Sequence, residues 1–149
     1  MRIIVDVMGG DHAPQAPIEG AVRAVKELDV DIVLVGDTAV IENELKKYEY
    51  PKERITIQHA SEVITNHEEP ARAVKTKKDA SVVVAAKMLR HGEGDAMLSM
   101  GNTGALLTAG LLIVGRIKGI IRPALATILP TGQGPKLLLD AGANTNCKP

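Results

Sequence analysis

The chain has 149 residues, enough for one domain with a real core, and 45% of them are hydrophobic, which excludes a disordered chain. Eighteen basic and eighteen acidic residues cancel, so there is no electrostatic footprint for nucleic acid or an anionic membrane surface. With no Phe or Trp and only two Tyr there are no base-stacking platforms either, and the core must be built from Val, Ile, Leu, Ala and Met.

Ile3-Ile4-Val5 with Val7 predicts a first buried strand, with Asp6 near its C-terminal end. The turn Met8-Gly9-Gly10-Asp11-His12-Ala13-Pro14 follows. A helix is expected from about Pro14 or Pro17 to Leu28, since Ile18, Val22, Val25 and Leu28 recur at helical spacing. Asp31 to Gly36 reads as the second strand. Asp37 or Thr38 caps a second helix with Ile41, Leu45 and Tyr48 on its apolar face, closed by Pro51. Ile55-Thr56-Ile57 is a third, short strand. This βαβαβ run has the connection lengths of a parallel sheet.

His59 to Glu69 is polar and without periodicity. Pro70 opens one charge-rich helical stretch that continues through Ser81 to Leu89, with Gly92 as its C-terminal cap. Ala96 to Leu98 reads as a buried strand. It breaks at Ser99 into a turn with Gly101 and Gly104, followed by a helix-like apolar segment from Ala105 to Val114. Leu125 to Leu129 and Lys136 to Asp140 flank a Pro-Gly turn and predict an antiparallel hairpin beside the parallel sheet. Gly104 to Val114 is about half the length of a membrane span. The lone Cys147 cannot form an internal disulfide, and charge within the first six residues argues against a signal peptide. A soluble intracellular protein is expected. A domain seldom stops after a strand and a glycine loop, so the chain reads as the front part of a longer protein.

Three turns share one design: glycine with small polar or charged residues, just after a strand. They are Gly9-Gly10-Asp11-His12, Gly101-Asn102-Thr103-Gly104 and Asp140-Ala141-Gly142-Ala143-Asn144. Ligands of open parallel sheets bind outside the carboxyl ends of the strands. A glycine turn leading into a helix leaves backbone N–H groups free for a phosphate or another anion. It is also an ordinary turn and helix cap, and the pattern alone leaves both readings open. If the strand over 136–140 is antiparallel, its end need not lie on that edge. The P-loop ending, a Gly-x-Gly-x-x-Gly after the first strand and a Gly-x-Ser-x-Gly elbow are all missing, which lowers the expectation of ATP, NAD or serine-hydrolase chemistry but not of free phosphate. Asp6, Asp11 and His12 could ligate a metal, but turn formation is the simpler reading. His59, His67 and His91 stand isolated. Cys147 beside Lys148 is read as an incidental thiol. Lys75, Lys77 and Lys78 could supply positive charge, although Lys75 fits a solvated helix face. Glu68 and Glu69 fit helix N-terminal acids.

Val5 to Pro14 resembles the opening of bacterial phosphate acyltransferases of the PlsX type. Glu69-Pro70, Lys77-Lys78-Asp79-Ala80-Ser81, Ser99 to Ala105, Gly119-Ile120-Ile121-Arg122-Pro123-Ala124 and Leu139 to Asn144 match in the same order. Met100 departs from the family's usual alanine and Ala80 from its frequent serine. Members are about twice as long, so the resemblance covers their N-terminal half. It implies a three-layer α/β/α sandwich similar to the isocitrate and isopropylmalate dehydrogenases, mostly parallel with an antiparallel hairpin. It further implies transfer of a fatty acyl group from acyl carrier protein to inorganic phosphate, giving acyl phosphate for phospholipid synthesis. The expected assembly is a homodimer at the cytoplasmic face of the membrane, with any membrane-contacting segment outside these residues. No cofactor, metal or nucleic acid is expected.

The candidate catalytic residues are His12 (proton shuttle), Lys78 (donor) and Asn102. Gly9, Gly10, Asp11, Ser81, Ser99, Gly101, Thr103, Gly104, Asp140 and Asn144 are candidate phosphate or substrate contacts. A thioester is already activated, so bound phosphate can attack it directly, given a cradle for phosphate and donors for the oxyanion. The alternatives are a phosphotransacetylase-like enzyme using acyl-CoA, a non-catalytic ligand-binding piece and, more remotely, a dehydrogenase.

Overall fold

The computed structural model of the protein describes residues 1–120 and 123–140, which form two compact units, Met1–Gly115 and the residues from Arg116 onward. The first unit is α/β. Strands β1 (Arg2–Asp6), β2 (Asp31–Gly36), β3 (Ile55–His59) and β4 (Ala96–Ser99) form one parallel sheet in the order β3-β2-β1-β4. Its helices are α1 (Gln15–Glu27), α2 (Thr38–Leu45), α3 (Pro70–Thr76), α4 (Ser81–Arg90) and α5 (Thr103–Ala109). The second unit contains an antiparallel pair, β5 (Ala126–Leu129) and β6 (Lys136–Leu139), as the hairpin reading expects.

Strand periodicity sorts the core into layers. Val5 and Val7 of the first strand segment, with Ile32 and Leu34 of β2, pack on Ile18, Val22 and Val25 of α1 and Ile41 and Leu45 of α2. Ile4, Val33 and Val35 point the other way, onto Ala85 and Met88 of α4. Helices therefore cover both faces, which is why β2 reads as an unbroken apolar run. Each fully buried Ile or Leu contributes about 1.5–3 kcal/mol. A further cluster joins Ala73 and Val74 of α3, Val82, Val83 and Ala86 of α4, and Ala105 and Ala109 of α5.

Local chemistry sets the helix ends. Asp37 takes the second helix, accepting from the Val40 N–H at 2.9 Å, so Asp37 and not Thr38 is the cap. Glu69 caps α3 by accepting from the Ala71 and Arg72 N–H groups, with Pro70 in the first turn. The single helix expected from Pro70 to Leu89 is two. Ala80 is extended at ψ 139°, and its segment bridges to Glu62. The Asp79 carboxylate accepts from the Ser61 N–H and hydroxyl, which holds its carboxyl below the usual range. The Asp79 N–H donates to Glu62 Oε2, its carbonyl accepts from the Glu62 N–H, and the Ser81 N–H donates to the Glu62 carbonyl, so the chain here bonds to a distant loop. No glycine or proline marks that break. The apolar segment after α5 winds into a π turn over Gly110–Val114, and the Arg90 guanidinium donates to the Ile113 and Val114 carbonyls that this end leaves open.

β4 differs from its expectation. It lies at the edge of the sheet, and Leu98 is 56% exposed, so the strand is not buried.

Candidate functional site

In this strand order the chain runs outward from β1 to β3 and returns on the far side of β1 as β4. The sheet therefore has its topological switch point between β1 and β4, where ligands of open α/β sheets bind. Asp6 and Ser99, the last residues of these strands, are partners in register. The Ser99 hydroxyl donates to Asp6 Oδ2 at 2.7 Å and accepts from the Gly101 N–H at 3.3 Å. The Met8 N–H donates to Asp6 Oδ1 at 3.1 Å. One buried carboxylate thereby ties together the starts of both glycine turns.

The turns touch through their backbones. A Cβ on Gly9 would lie 2.8 Å from Gly101 Cα, and one on Gly101 would lie 3.0 Å from Gly9 Cα. Gly10 sits at φ +107°, a conformation that only glycine adopts freely. These glycines permit close approach. Gly104 has a related role: a Cβ there would meet Pro70 Cγ at 2.6 Å, so it lets α5 pack on the start of α3.

A cleft opens at this edge, lined by Asp6, Gly9, Val63, Ile64, Ser81, Ser99, Gly101 and Asn102, with Val82 and Ala105 behind. The space within it open to a water-sized group is about 10 Å³, room for one such group. Ser81 begins α4 and is 2% exposed. Its hydroxyl has no protein partner among the described residues, yet none of their side-chain polar atoms is both sealed and unsatisfied. Ser81 therefore presents its oxygen to the cleft.

The third wall is the polar stretch after β3. Asn102 Oδ1 caps α5 by accepting from the Ala105 N–H at 3.0 Å, while its Nδ2 donates to the Thr65 carbonyl at 3.2 Å and the Glu68 carbonyl at 3.5 Å. The Lys77 ammonium donates to the Val63 carbonyl at 2.7 Å and pairs with Glu68. That bond, with the Thr65 N–H and hydroxyl also donating to Glu68, holds the Glu68 carboxyl down to about 2 from 4.5. Asn66 Nδ2 reaches Asp11 Oδ1 at 3.4 Å, joining this stretch to the first turn.

Of the residues singled out from sequence, Gly9, Ser81, Ser99, Gly101 and Asn102 meet at the cleft. Thr103 and Gly104 open α5 beside it and carry first-turn N–H groups that the helix cannot satisfy. Gly10 packs on Met100, and Asp11 is held by Asn66. His12 and Lys78 are exposed and do not line the cleft. Asp140 follows β6, which is no part of the parallel sheet, and Asn144 and Cys147 lie outside the described residues. Sequence reading missed Val63, Ile64, Thr65 and the Lys77–Glu68 pair. Backbone carbonyls such as that of Thr65 leave no trace in residue identity, so nothing in the sequence could have found that partner. Among the described residues no group of three or more His, Cys, Asp or Glu could hold a metal ion, and no helix is long and apolar enough to cross a membrane.

The family model described as fatty acid synthesis protein matches residues 1–149. The chain belongs to the fatty acid synthesis protein family. It is 56% identical over 149 residues to a protein of Alkaliphilus oremlandii named phosphate acyltransferase, covering all of this chain and 44% of that one. Proteins of the same name from Clostridioides difficile and Clostridium novyi are 47% and 48% identical over 150 residues, again over this whole chain and 44% and 45% of theirs. The chain thus spans less than half the length of these members of the fatty acid synthesis protein family.

Proposed function

We propose that the chain is part of a phosphate acyltransferase domain that moves a fatty acyl group from an acyl carrier protein thioester to inorganic phosphate, and that the switch-point cleft holds the phosphate. The observation that carries this reading is the cleft itself, with an open Ser81 hydroxyl between two glycine turns. The name of the relatives supports the chemistry.

The reaction needs little from the protein beyond positioning. The phosphate oxygen attacks the thioester carbon, a tetrahedral oxyanion forms, and the carbon–sulfur bond breaks to release the thiolate. Ser81 donates to phosphate, and the first-turn N–H groups of Thr103 and Gly104 stand ready for phosphate or the oxyanion. Asn102 acts mainly by holding the walls, since its amide is already engaged. His12 as proton shuttle and Lys78 as donor would require a substrate that reaches beyond the cleft.

The 44% share of the relatives supports placing these residues as the front part of a longer PlsX-type domain. The sheet is proposed to belong to the isocitrate and isopropylmalate dehydrogenase-like class, and the longer protein to work as a homodimer at the cytoplasmic membrane face. Thioester release should be measured with the 149-residue chain, phosphate, and either acyl carrier protein or CoA as acyl carrier. Phosphate-dependent release favouring acyl carrier protein is the expected outcome. Preference for CoA would support the phosphotransacetylase-like alternative. Phosphate binding without release would identify a binding module.

A further inference from the structure

Among the described residues lining the cleft Asp6 is the only charged one, and it is 2% exposed. No Lys, Arg or His pairs with it among the described residues. The Lys77 ammonium, which reaches the cleft-lining Val63 through its carbonyl, is committed to that carbonyl and to Glu68. Asp6 accepts one bond at each oxygen, from Met8 and Ser99. A carboxylate offers about four lone-pair sites, so each oxygen keeps one.

A buried carboxylate opposes any fully ionised oxyanion brought beside it. The conflict is offset at the contact when the oxyanion brings its own proton and donates it in a charge-assisted hydrogen bond. Phosphate keeps at least one proton at neutral pH, and sulfate keeps none. The free space of the cleft, about 10 Å³, suits one oxygen of such an anion. The Ser81 hydroxyl, which has no protein partner among the described residues, remains to donate to another.

We propose that Asp6 is a specificity-determining residue that accepts a hydrogen bond from the P–OH group of phosphate and so admits protonated oxyanions while rejecting sulfate. This rests on the reading of the cleft as a phosphate site. The residue that anchors both turns would then also choose the nucleophile.

The test is calorimetric titration of the 149-residue chain with phosphate, arsenate, sulfate and, separately, magnesium. Phosphate and arsenate, which both carry a proton, should bind with similar affinity. Sulfate should bind at least about 100-fold more weakly, because it sets an unprotonated oxygen against the buried carboxylate with no hydrogen bond between them. In Asp6→Asn, whose amide can donate to an unprotonated oxygen, that ratio should fall below about tenfold. The comparison within the unaltered chain stands even if the variant does not fold. Sulfate binding as well as phosphate would overturn the role of Asp6 while leaving the phosphate site intact. No oxyanion binding, or magnesium binding in place of phosphate, would overturn the site and the role of Asp6 with it.

Discussion

At Asn102 one side chain performs two tasks that a substitution can separate. Its oxygen caps α5, and its nitrogen holds the Thr65 and Glu68 carbonyls. Asn102→Asp keeps the acceptor and loses the donors, whereas Asn102→Ala loses both. Alanine should cost about 1–2 kcal/mol in chemical denaturation, as loss of a cap does. Aspartate should recover most of that stability but still weaken phosphate binding, because it faces two carbonyls with a charge. Equal stability of all three proteins would refute the capping role. Glu68 makes a second residue-scale prediction. Its carboxyl is held at about 2 in the folded chain against an ordinary 4.5, first by Lys77 and then by the Thr65 N–H. The folded state therefore binds fewer protons than the unfolded state between those values. This contribution is fully present above about pH 4.5 and is lost as pH falls toward about 2. Lys77→Met should flatten that acid limb of the denaturation profile, and an unchanged limb would show that the pair does not pin the loop.

At the scale of elements, the site depends on how closely two turns can approach. The β1 and β4 turns meet glycine to glycine, so Gly9→Ala must push its methyl against the backbone of Gly101 rather than against a side chain that could swing aside. The expected cost is about 1–3 kcal/mol in thermal or chemical unfolding, as for other overpacking changes. Phosphate affinity should fall with it, since the cleft floor widens. Gly20→Ala on α1 is the control: nothing lies within 4 Å of a Cβ there, and alanine favours the helix. The elements themselves were largely legible. Apolar runs such as Ile32 to Val35 announce strands buried on both faces, and Asp37 and Glu69-Pro70 announce helix starts. The break between α3 and α4 was not legible, because Lys77 to Ala80 carry no breaker, while the Asp79 backbone bonds Glu62 and its carboxylate bonds Ser61.

For the molecule as a whole, the apolar clusters among the described residues all lie within Met1–Gly115. Every residue of β5 and β6 is exposed, including Ile128, Leu129, Leu137, Leu138 and Leu139. A lone two-stranded ribbon is marginally stable in water. A chain cut after Gly115 should therefore keep its cooperative unfolding transition, with a midpoint within a few degrees of the uncut chain. Hydrogen exchange should be slow in β1 and β2 and fast in β5 and β6. Loss of the transition on cutting would show that the first unit needs the rest. Hydrophobic period, caps and turn residues act over a few neighbours, so the α/β class, the parallel βαβαβ start and the hairpin could be read from residue order alone. That order also singled out the Ser99–Gly104 turn, but left it open between a capped turn and an anion site. Long-range packing is what returns β4 beside β1, which sets Asp6 against Ser99 and Gly9 against Gly101 across more than 90 residues of chain. Register and close backbone approach belong to pairs of distant segments, and no local pattern in either segment encodes the other.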